Sequence, residues 1–280
     1  MYSLLKETLA DENVTKIVER VTNFVKCHQV VTCVGAGAFV LVVWTYAAGG
    51  PKDVKQRLFA WINKQAQKIK DERYEEIRRK LLEPMKAQKS LDPELLKENV
   101  IRILEVGAGV GTNFKFYPDG SRLVVVDPNP YFKKYFDENM SKFKIKLEDV
   151  IIARGEDMDV VKTNSVDAVV VSLVLCSVDD VRAILNQIKR VLVPGGKFYF
   201  LEHVREWDTK KYRHRQIIQN VLTWSRLWPF LFEGCCMDRD PLPIIRECEF
   251  ASVEAEYLYA PIVYKAMNFV SPHLIGAATK

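Results

Sequence analysis

The chain has 280 residues and a formal net charge of +5, and 48% of its residues are hydrophobic while 28% are charged. This balance is typical of a globular protein with one domain of ordinary size and an appendage. The positive surplus lies in residues 52–89, whereas residues 90–280 are close to neutral. Because a nucleic-acid-binding protein carries its basic residues on the folded domain, this distribution excludes nucleic acid as the main partner.

The cysteines give no sequence pattern for a metal site. Six occur, and no two of them are separated by two residues, which is the spacing typical of zinc or redox sites. The adjacent Cys235 and Cys236 are poorly placed as two ligands of one tetrahedral metal. We therefore expect no metal and reduced thiols in a cytosolic compartment. The alternative is that this adjacent pair binds a soft metal or oxidises.

The N-terminal region predicts a membrane anchor. Residues 1–29 have apolar positions at helical spacing and are predicted to form an amphipathic segment, whereas residues 30–50 contain no charged side chain. Twenty-one helical residues span roughly 31 Å, enough for a bilayer core, and Trp44 and Tyr46 lie near one end of the run. The alternative for residues 30–50 is a buried core helix.

The residues after this run are rich in lysine and arginine, more so than the residues before it. Since the more basic flank stays in the cytoplasm, the C-terminal domain is predicted to be cytosolic. Residues 51–99 are predicted to form a basic juxtamembrane helical linker, which either lies on an anionic membrane surface or is solvated. Pro84 and Pro93 mark the boundary of the domain that follows, residues 100–280.

A glycine-rich turn follows the first apolar run of that domain. Residues 104–112 read Leu-Glu-Val-Gly-Ala-Gly-Val-Gly-Thr, with glycines at 107, 109 and 111 and the acid Glu105 in the preceding strand. A dinucleotide fingerprint needs a glycine where Thr112 stands, and the motif instead resembles the first motif of S-adenosylmethionine (SAM)-dependent methyltransferases. Asp127 closes the next apolar run and is predicted to accept hydrogen bonds from both ribose hydroxyls.

Apolar runs then alternate with helical patterns, which predicts an α/β fold with a doubly wound, mostly parallel sheet. Ligands of such sheets bind beyond the carboxyl ends of the strands. The predicted helices are Thr112–Tyr117, Tyr131–Lys142 and Val178–Val191. The predicted strands are Val100–Val106, Arg122–Asp127, Val150–Ala153, Val166–Leu173 and Lys197–Val204.

Three further signals fall at predicted strand ends. After the third strand, a carboxylate in the pair Glu156-Asp157 is predicted to accept from the adenine amino group, and Met158 to pack on the ring; the alternative for Asp157 is a helix N-terminal acid. Leu173 ends the fourth strand in a segment expected to face the methyl donor. His203 ends the fifth strand, where it either orients or deprotonates an acceptor or is a half-buried histidine without a catalytic role.

Several longer stretches resemble a specific family, the membrane-anchored, methyltransferase-like alkyl thiol S-methyltransferases. The resemblance implies a Rossmann-like class I methyltransferase fold, SAM as cofactor with Pro128 among its contacts, and methyl transfer to small lipophilic thiols. It also implies an N-terminal anchor in the endoplasmic reticulum membrane or on lipid droplets. The stretches are residues 104–118, 127–130, 155–158, 173–178, 202–204, 234–236 and 272–276.

Two departures leave the acceptor open. About 29 residues precede the apolar run, whereas the family's anchor starts at or near the N-terminus, and residues 237–241 differ from the run that usually follows Gly-Cys in the family. Residues 221–232 are dense in leucine and aromatic side chains and form either the wall of an apolar acceptor pocket, a core helix or a second membrane contact. The alternative acceptors are a quinone precursor, a phenol or a lipid, and the alternative to an enzyme is a non-catalytic membrane protein with a vestigial fold. The oligomeric state is not predicted.

Overall fold

Seven strands form one sheet within the residues that the structure describes. The structure is a computed structural model, and it describes residues 52–68 and 71–280 together with Lys16 and Glu19. The sheet order is β3-β2-β1-β4-β5-β7-β6; β7 is antiparallel to both neighbours and the other pairs are parallel. The predicted α/β, doubly wound and mostly parallel fold is therefore confirmed. The strands are β1 Arg102–Val106, β2 Arg122–Val126, β3 Lys146–Ile151, β4 Val166–Ser172, β5 Leu192–His203, β6 Ser252–Tyr259 and β7 Pro272–Thr279.

Helices lie between the strands and ahead of the first one. We number them within the described residues as α1 Lys52–Ala66, α2 Glu72–Leu82, α3 Pro93–Lys97, α4 Lys133–Met140, α5 Val181–Val191, α6 Thr209–Trp224, α7 Leu227–Leu231 and α8 Leu242–Glu247. Short 3-10 helices cover Glu83–Ala87, Phe114–Phe116, Pro130–Phe132, Gly155–Asp157 and Lys265–Val270.

The membrane predictions concern residues outside this description. The apolar run 30–50 is not among the described residues, nor is the amphipathic segment 1–29 except for Lys16 and Glu19. In the parts of the chain that the structure does describe, no helix is both long and apolar enough to cross a bilayer.

The central strand β4 is buried on both faces of the sheet. Its residues 166–171 are all buried, and apart from Asp167 they are apolar, as expected for a strand that is covered on both faces. Because alternate side chains point to opposite faces, Val169 and Val171 pack in one cluster with Ile184 of α5, whereas Ala168 and Val170 join the other. Burying each large apolar side chain stabilises the fold by roughly 1.5–3 kcal/mol.

Residues from the predicted juxtamembrane linker take part in this packing. Leu82 of α2 and Met85 after it are buried in the cluster that contains Ala168 and Val170. In α1, Ala60 is buried against Val110 and Phe132, while several apolar side chains of the same helix, Leu58, Trp61 and Ile62, are exposed. This segment therefore supplies part of the core and also presents an apolar surface.

Three predicted elements differ from the structure. Residues 112–117 form a turn and a 3-10 helix, because Gly111 has a positive φ and Pro118 keeps Tyr117 extended. The third strand begins at Lys146 rather than Val150, and the apolar run does not reveal its first half because Lys146, Glu148 and Asp149 are polar and exposed, as on an edge strand. The Pro194-Gly195-Gly196 turn lies within β5 as an irregularity, because pairing with β4 resumes on both sides of it.

Candidate active site

The glycine-rich turn joins β1 to the 3-10 helix and has an unusual backbone. Gly107, Gly109 and Gly111 have φ values of +70°, +54° and +77°, which other residues rarely adopt. A Cβ at Gly107 would overlap Val174, and one at Gly111 would overlap Phe114. At Gly109 the nearest atoms to such a Cβ are 3.8 Å away on Phe132. Gly107 and Gly111 are therefore required by packing, whereas the surface of Gly109 is open to a ligand.

Asp127 lies at the end of β2 and holds this turn in place. Its Oδ2 accepts from the Gly109 N–H at 3.0 Å, and its Oδ1 accepts from the Asn129 N–H at 2.9 Å. Burial raises the pKa of Asp127 to about 6. Each carboxylate oxygen can accept a further bond, so the predicted ribose contact is compatible with the structural one. Pro128 is exposed, and its carbonyl accepts from Gln56 Nε2 at 3.4 Å.

Glu105 is buried directly before the glycine turn. Asn113 Nδ2 donates to its Oε1 at 2.8 Å, and burial raises the pKa of Glu105 to about 7. Glu105 Oε2 and Asn113 Oδ1 are buried acceptors without a partner among the described residues, and Arg78 Nε is a buried donor in the same state. The Arg78 charge acts on Glu105, so these atoms share one region. They fit the ammonium and carboxylate groups of the methionine end of SAM.

The three predicted adenine contacts after β3, Glu156, Asp157 and Met158, differ in exposure and in the groups they contact. Glu156 Oε1 accepts from the Asp179 N–H at 2.8 Å and so ties this segment to the loop before α5. Asp157 is exposed, which leaves it accessible to a ligand. Met158 is completely buried in the core cluster with β4 and α5, a position explained by packing with no need for an adenine ring.

Beyond β4, the chain turns sharply beside the glycines. Leu173 has a φ of +59°, which is a strained conformation for a leucine, and it is 37% exposed. Val174 fills the space next to Gly107, and its N–H donates to Glu202 Oε1 at 2.9 Å. Glu202 is fully buried at the end of β5, and burial raises its pKa to about 8. The Glu202 carboxyl group thus positions the strained turn.

His203, the next residue of β5, meets two cysteines. Its Nε2 is 3.1 Å from Cys235 Sγ, and Cys176 Sγ lies within 4.8 Å of both atoms. A hydrogen bond with Cys235, together with the charge of His203, holds the pKa of Cys176 well below the usual range of a thiol. Burial alone would lower the pKa of His203, but the negative charge on Cys176 outweighs it and raises that pKa to about 9.

Aromatic residues of α7 and of the chain directly after it lie beside this group. Trp228 is buried, stacks on Phe232 with ring centroids 4.1 Å apart, and donates its Nε1–H to Cys235 Sγ at 3.1 Å. Trp224, the last residue of α6, is 85% exposed. The predicted aromatic segment therefore divides into one side that packs around the cysteines and one side that faces outward.

The site thus contains residues that the sequence patterns did not single out. Arg78 comes from the predicted linker, and the pairing of Cys176 with Cys235 joins residues that are far apart along the chain. One signal was present for Glu202, because a carboxylate inside an apolar strand needs a buried partner. The expectation of no metal site depends only on the spacing of cysteines along the chain. That spacing does not reveal Cys176, His203 and Cys235, which the fold brings together.

Comparison with known proteins places the site in context. Residues 104–200 match the family model of a methyltransferase domain. Human thiol S-methyltransferase TMT1A is 38% identical over 182 residues, which cover 64% of this chain and 71% of that protein. Human thiol S-methyltransferase TMT1B is 35% identical over 182 residues with the same two shares.

The similarity of this chain to solved structures concerns the fold. A chain in the complex between the Haloferax volcanii Trm112 methyltransferase activator and a methyltransferase has a TM-score of 0.54 and 14% identity. The match covers 79% of the present chain and 96% of that one. The sheet and its helices are therefore those of a methyltransferase fold.

Proposed function

Because this chain belongs to the thiol S-methyltransferase family and is a SAM-dependent methyltransferase, we propose that it methylates a small lipophilic thiol at a membrane surface. The observation that carries the choice of acceptor is the 38% identity to a thiol S-methyltransferase over 182 residues. The chemistry of the acceptor side is consistent with it, since sulfur and aromatic groups surround His203.

SAM, when bound, supplies a methyl group on an electrophilic sulfonium. The glycine turn and Asp127 would hold the nucleoside part, while Glu105, Asn113 and Arg78 would hold the methionine end. A free thiol has a pKa of about 8.5, so a few per cent is thiolate at neutral pH and no strong base is required. The protein's contribution is then to align the acceptor sulfur and exclude water. We propose that His203 orients this sulfur.

The outward side of α6 supports a membrane-associated acceptor. Ile217, Val221 and Trp224 recur at helical spacing and are 52%, 55% and 85% exposed, and Leu227 and Leu231 of α7 continue the exposed apolar surface. Basic side chains, Lys210, Lys211 and Arg213, are exposed in the first half of the same helix. An apolar face beside basic residues is typical of a helix that rests on an anionic bilayer.

Attachment of the chain is part of the same proposal. Residues 30–50 would anchor the protein in the endoplasmic reticulum membrane or on lipid droplets, with residues 100–280 in the cytosol. A lipophilic thiol is concentrated in the bilayer, so an anchored enzyme meets more of its substrate than a free one does.

A methyl-transfer assay tests the acceptor. The full chain is incubated with SAM labelled in its methyl group and with matched series of alkyl thiols, phenols and reduced quinones, and the methylated products are identified by mass. We expect methyl thioethers, with a preference for the longer alkyl chains. A reaction without acceptor controls for methylation of the protein's own cysteines. Methylated phenols or quinols without any thioether would replace the thiol with the alternative acceptor.

A shortened chain tests the membrane part of the proposal. Residues 52–280 include all the helices and strands numbered above, so this variant should methylate a water-soluble thiol as fast as the full chain does. With a long-chain thiol dissolved in vesicles, its rate should be clearly lower. Equal rates on both substrates would contradict a role for the N-terminal residues.

A further inference from the structure

Three metal-ligating side chains converge where the acceptor is expected. Cys176 follows β4, His203 ends β5, and Cys235 lies in the loop after α7, and their three ligand atoms lie within 4.8 Å of one another. Cys176 and Cys235 are only 3% and 4% exposed. The Cys236 N–H donates to the Cys176 carbonyl at 2.8 Å, which fixes the loop against the strand end.

The spacing of these atoms is close to that of a tetrahedral zinc site. With bonds of about 2.3 Å to sulfur and 2.0 Å to nitrogen, tetrahedral ligands stand roughly 3.8 Å apart for two sulfurs and 3.5 Å for sulfur and nitrogen. The measured separation of His203 Nε2 from Cys235 Sγ is 3.1 Å, so these two groups need to separate by only a few tenths of an ångström. Two thiolates also balance the charge of a divalent ion.

The surroundings of the sulfurs are also those of a metal site. Trp228 Nε1–H donates to Cys235 Sγ at 3.1 Å, and the Ser177 hydroxyl is 3.5 Å from Cys176 Sγ. Such outer contacts orient ligands and tune their basicity. The shell around them is apolar and includes Met237 and Phe269, which limits access of water. A purely structural pair of core thiols would need neither the histidine nor the indole N–H.

We propose that Cys176, His203 and Cys235 bind Zn²⁺ and leave its fourth position to the acceptor thiol. Three protein ligands with one open position are characteristic of catalytic zinc, and two cysteines with one histidine are a known set. The inference rests on the proposed thiol substrate. Val174, which precedes Cys176 by two residues in the chain, packs beside Gly107 of the cofactor site.

The reaction balances without any other reagent. The acceptor RSH loses its proton to solvent on binding, because a metal-coordinated thiol is deprotonated. A sulfur lone pair of RS⁻ then forms the new C–S bond while the bond between the methyl group and the SAM sulfur breaks. The products are RSCH₃, S-adenosylhomocysteine and the released proton. His203 orients the acceptor through the metal in this scheme and does not itself remove the proton.

Metal binding can be measured independently of turnover. The full chain is purified in reductant without chelator, its zinc content is determined by mass spectrometry, and Co²⁺ is then titrated into the metal-free protein. We expect one zinc per chain and a thiolate-to-cobalt charge-transfer band. In the Cys176→Ser and Cys235→Ser variants one thiolate ligand remains, so the band should weaken clearly and zinc should bind about 100-fold more weakly. Absence of zinc and of the band, or a Cys176–Cys235 disulfide in the reduced preparation, would overturn the inference.

Matched variants locate the ligands and control for folding. Cys236→Ser, at the neighbouring position, and Cys248→Ser, in the core cluster beneath α5 and α8, should retain the zinc and the band. Trp228→Phe keeps the ring but removes the N–H donor, so zinc affinity should fall about tenfold. SAM binding, measured by calorimetry, should be retained in every folded variant. An unchanged cobalt spectrum in Cys176→Ser or Cys235→Ser would exclude that residue as a ligand.

The acceptor role is tested on the Co²⁺ form, with decanethiol as the probe. Binding of the thiol at the fourth position should shift the charge-transfer band, while decanol should leave it unchanged. Full thiol methylation by metal-free protein would overturn the zinc inference and leave the proposed function intact. Conversely, bound cobalt with no shift and no methylation of any thiol would overturn the proposed function while the metal site itself stands.

Discussion

The cofactor half and the acceptor half of the site are built in different ways. In the cofactor half, the glycine turn and Asp127 lie within about one βαβ unit of each other, and backbone N–H groups make the decisive contacts. In the acceptor half, side chains from β4, β5, α7 and the following loop meet at Cys176, His203 and Cys235. Apart from Arg78, which comes from α2, the cofactor half is a local arrangement for a fixed ligand, whereas the acceptor half is a tertiary arrangement that can change with the substrate.

The largest effect is expected at the residue on which the cofactor half depends. Asp127→Ala removes an acceptor that holds Gly109 and Asn129 and that would also bind the ribose. Hydrogen bonds to a charged group contribute about 1.5–3 kcal/mol each, so SAM affinity should fall about 100-fold. Calorimetry measures the SAM affinity of each variant. Asp127→Asn keeps the shape of the side chain and one acceptor, so its SAM affinity should lie between those of the unaltered protein and of Asp127→Ala. A loss of SAM affinity below threefold in Asp127→Ala would mean that the cofactor half does not depend on Asp127 as described.

Local sequence predicts the cofactor half well for a physical reason. The alternation of apolar residues, the glycines and a carboxylate at a strand end each have consequences within a few residues, so the fold and the SAM contacts follow from them. Met158 is predicted to pack on the adenine ring, and the structure buries it in the core; a methionine in a sequence pattern does not distinguish a ligand contact from a packing contact. The Cys176, His203 and Cys235 group depends on how distant elements pack, which no local pattern records.

The glycines separate folding from binding inside the cofactor half. Gly109→Ala places a Cβ on the surface open to the ligand, and its positive φ alone costs about 1 kcal/mol. We expect a folded protein with SAM affinity reduced at least about tenfold. Gly107→Ala adds an overlap with Val174, so it should lower the free energy of unfolding by about 1–3 kcal/mol more than Gly109→Ala does. Equal losses of stability in both variants, measured by urea unfolding, would contradict this distinction.

The pH dependence of SAM binding gives a smaller, graded effect. Burial raises the pKa of Asp127 to about 6, and only the ionised form accepts both ribose hydroxyls. The contribution of Asp127 to SAM affinity should therefore be constant above pH 7 and fall about tenfold by pH 5. The raised pKa has the opposite consequence for SAM-free protein, because its stability falls as pH rises from about 4 to 6. Asp127→Asn should bind SAM weakly with no step near pH 6, and a step that persists there would assign it to another group.

The smallest effect is expected from a tryptophan in the acceptor half that faces outward. Trp224 is 85% exposed, so Trp224→Ala should change the free energy of unfolding by less than about 0.5 kcal/mol and leave SAM affinity unchanged. Its matched partner Trp228 is buried against Phe232 and Cys235, and Trp228→Ala should cost about 3–5 kcal/mol. If Trp224 contacts a bilayer, its loss lowers turnover only for a long-chain thiol in vesicles. An equal decrease with a water-soluble thiol would place Trp224 in the acceptor site instead, and the outward face would then belong to catalysis rather than to membrane contact.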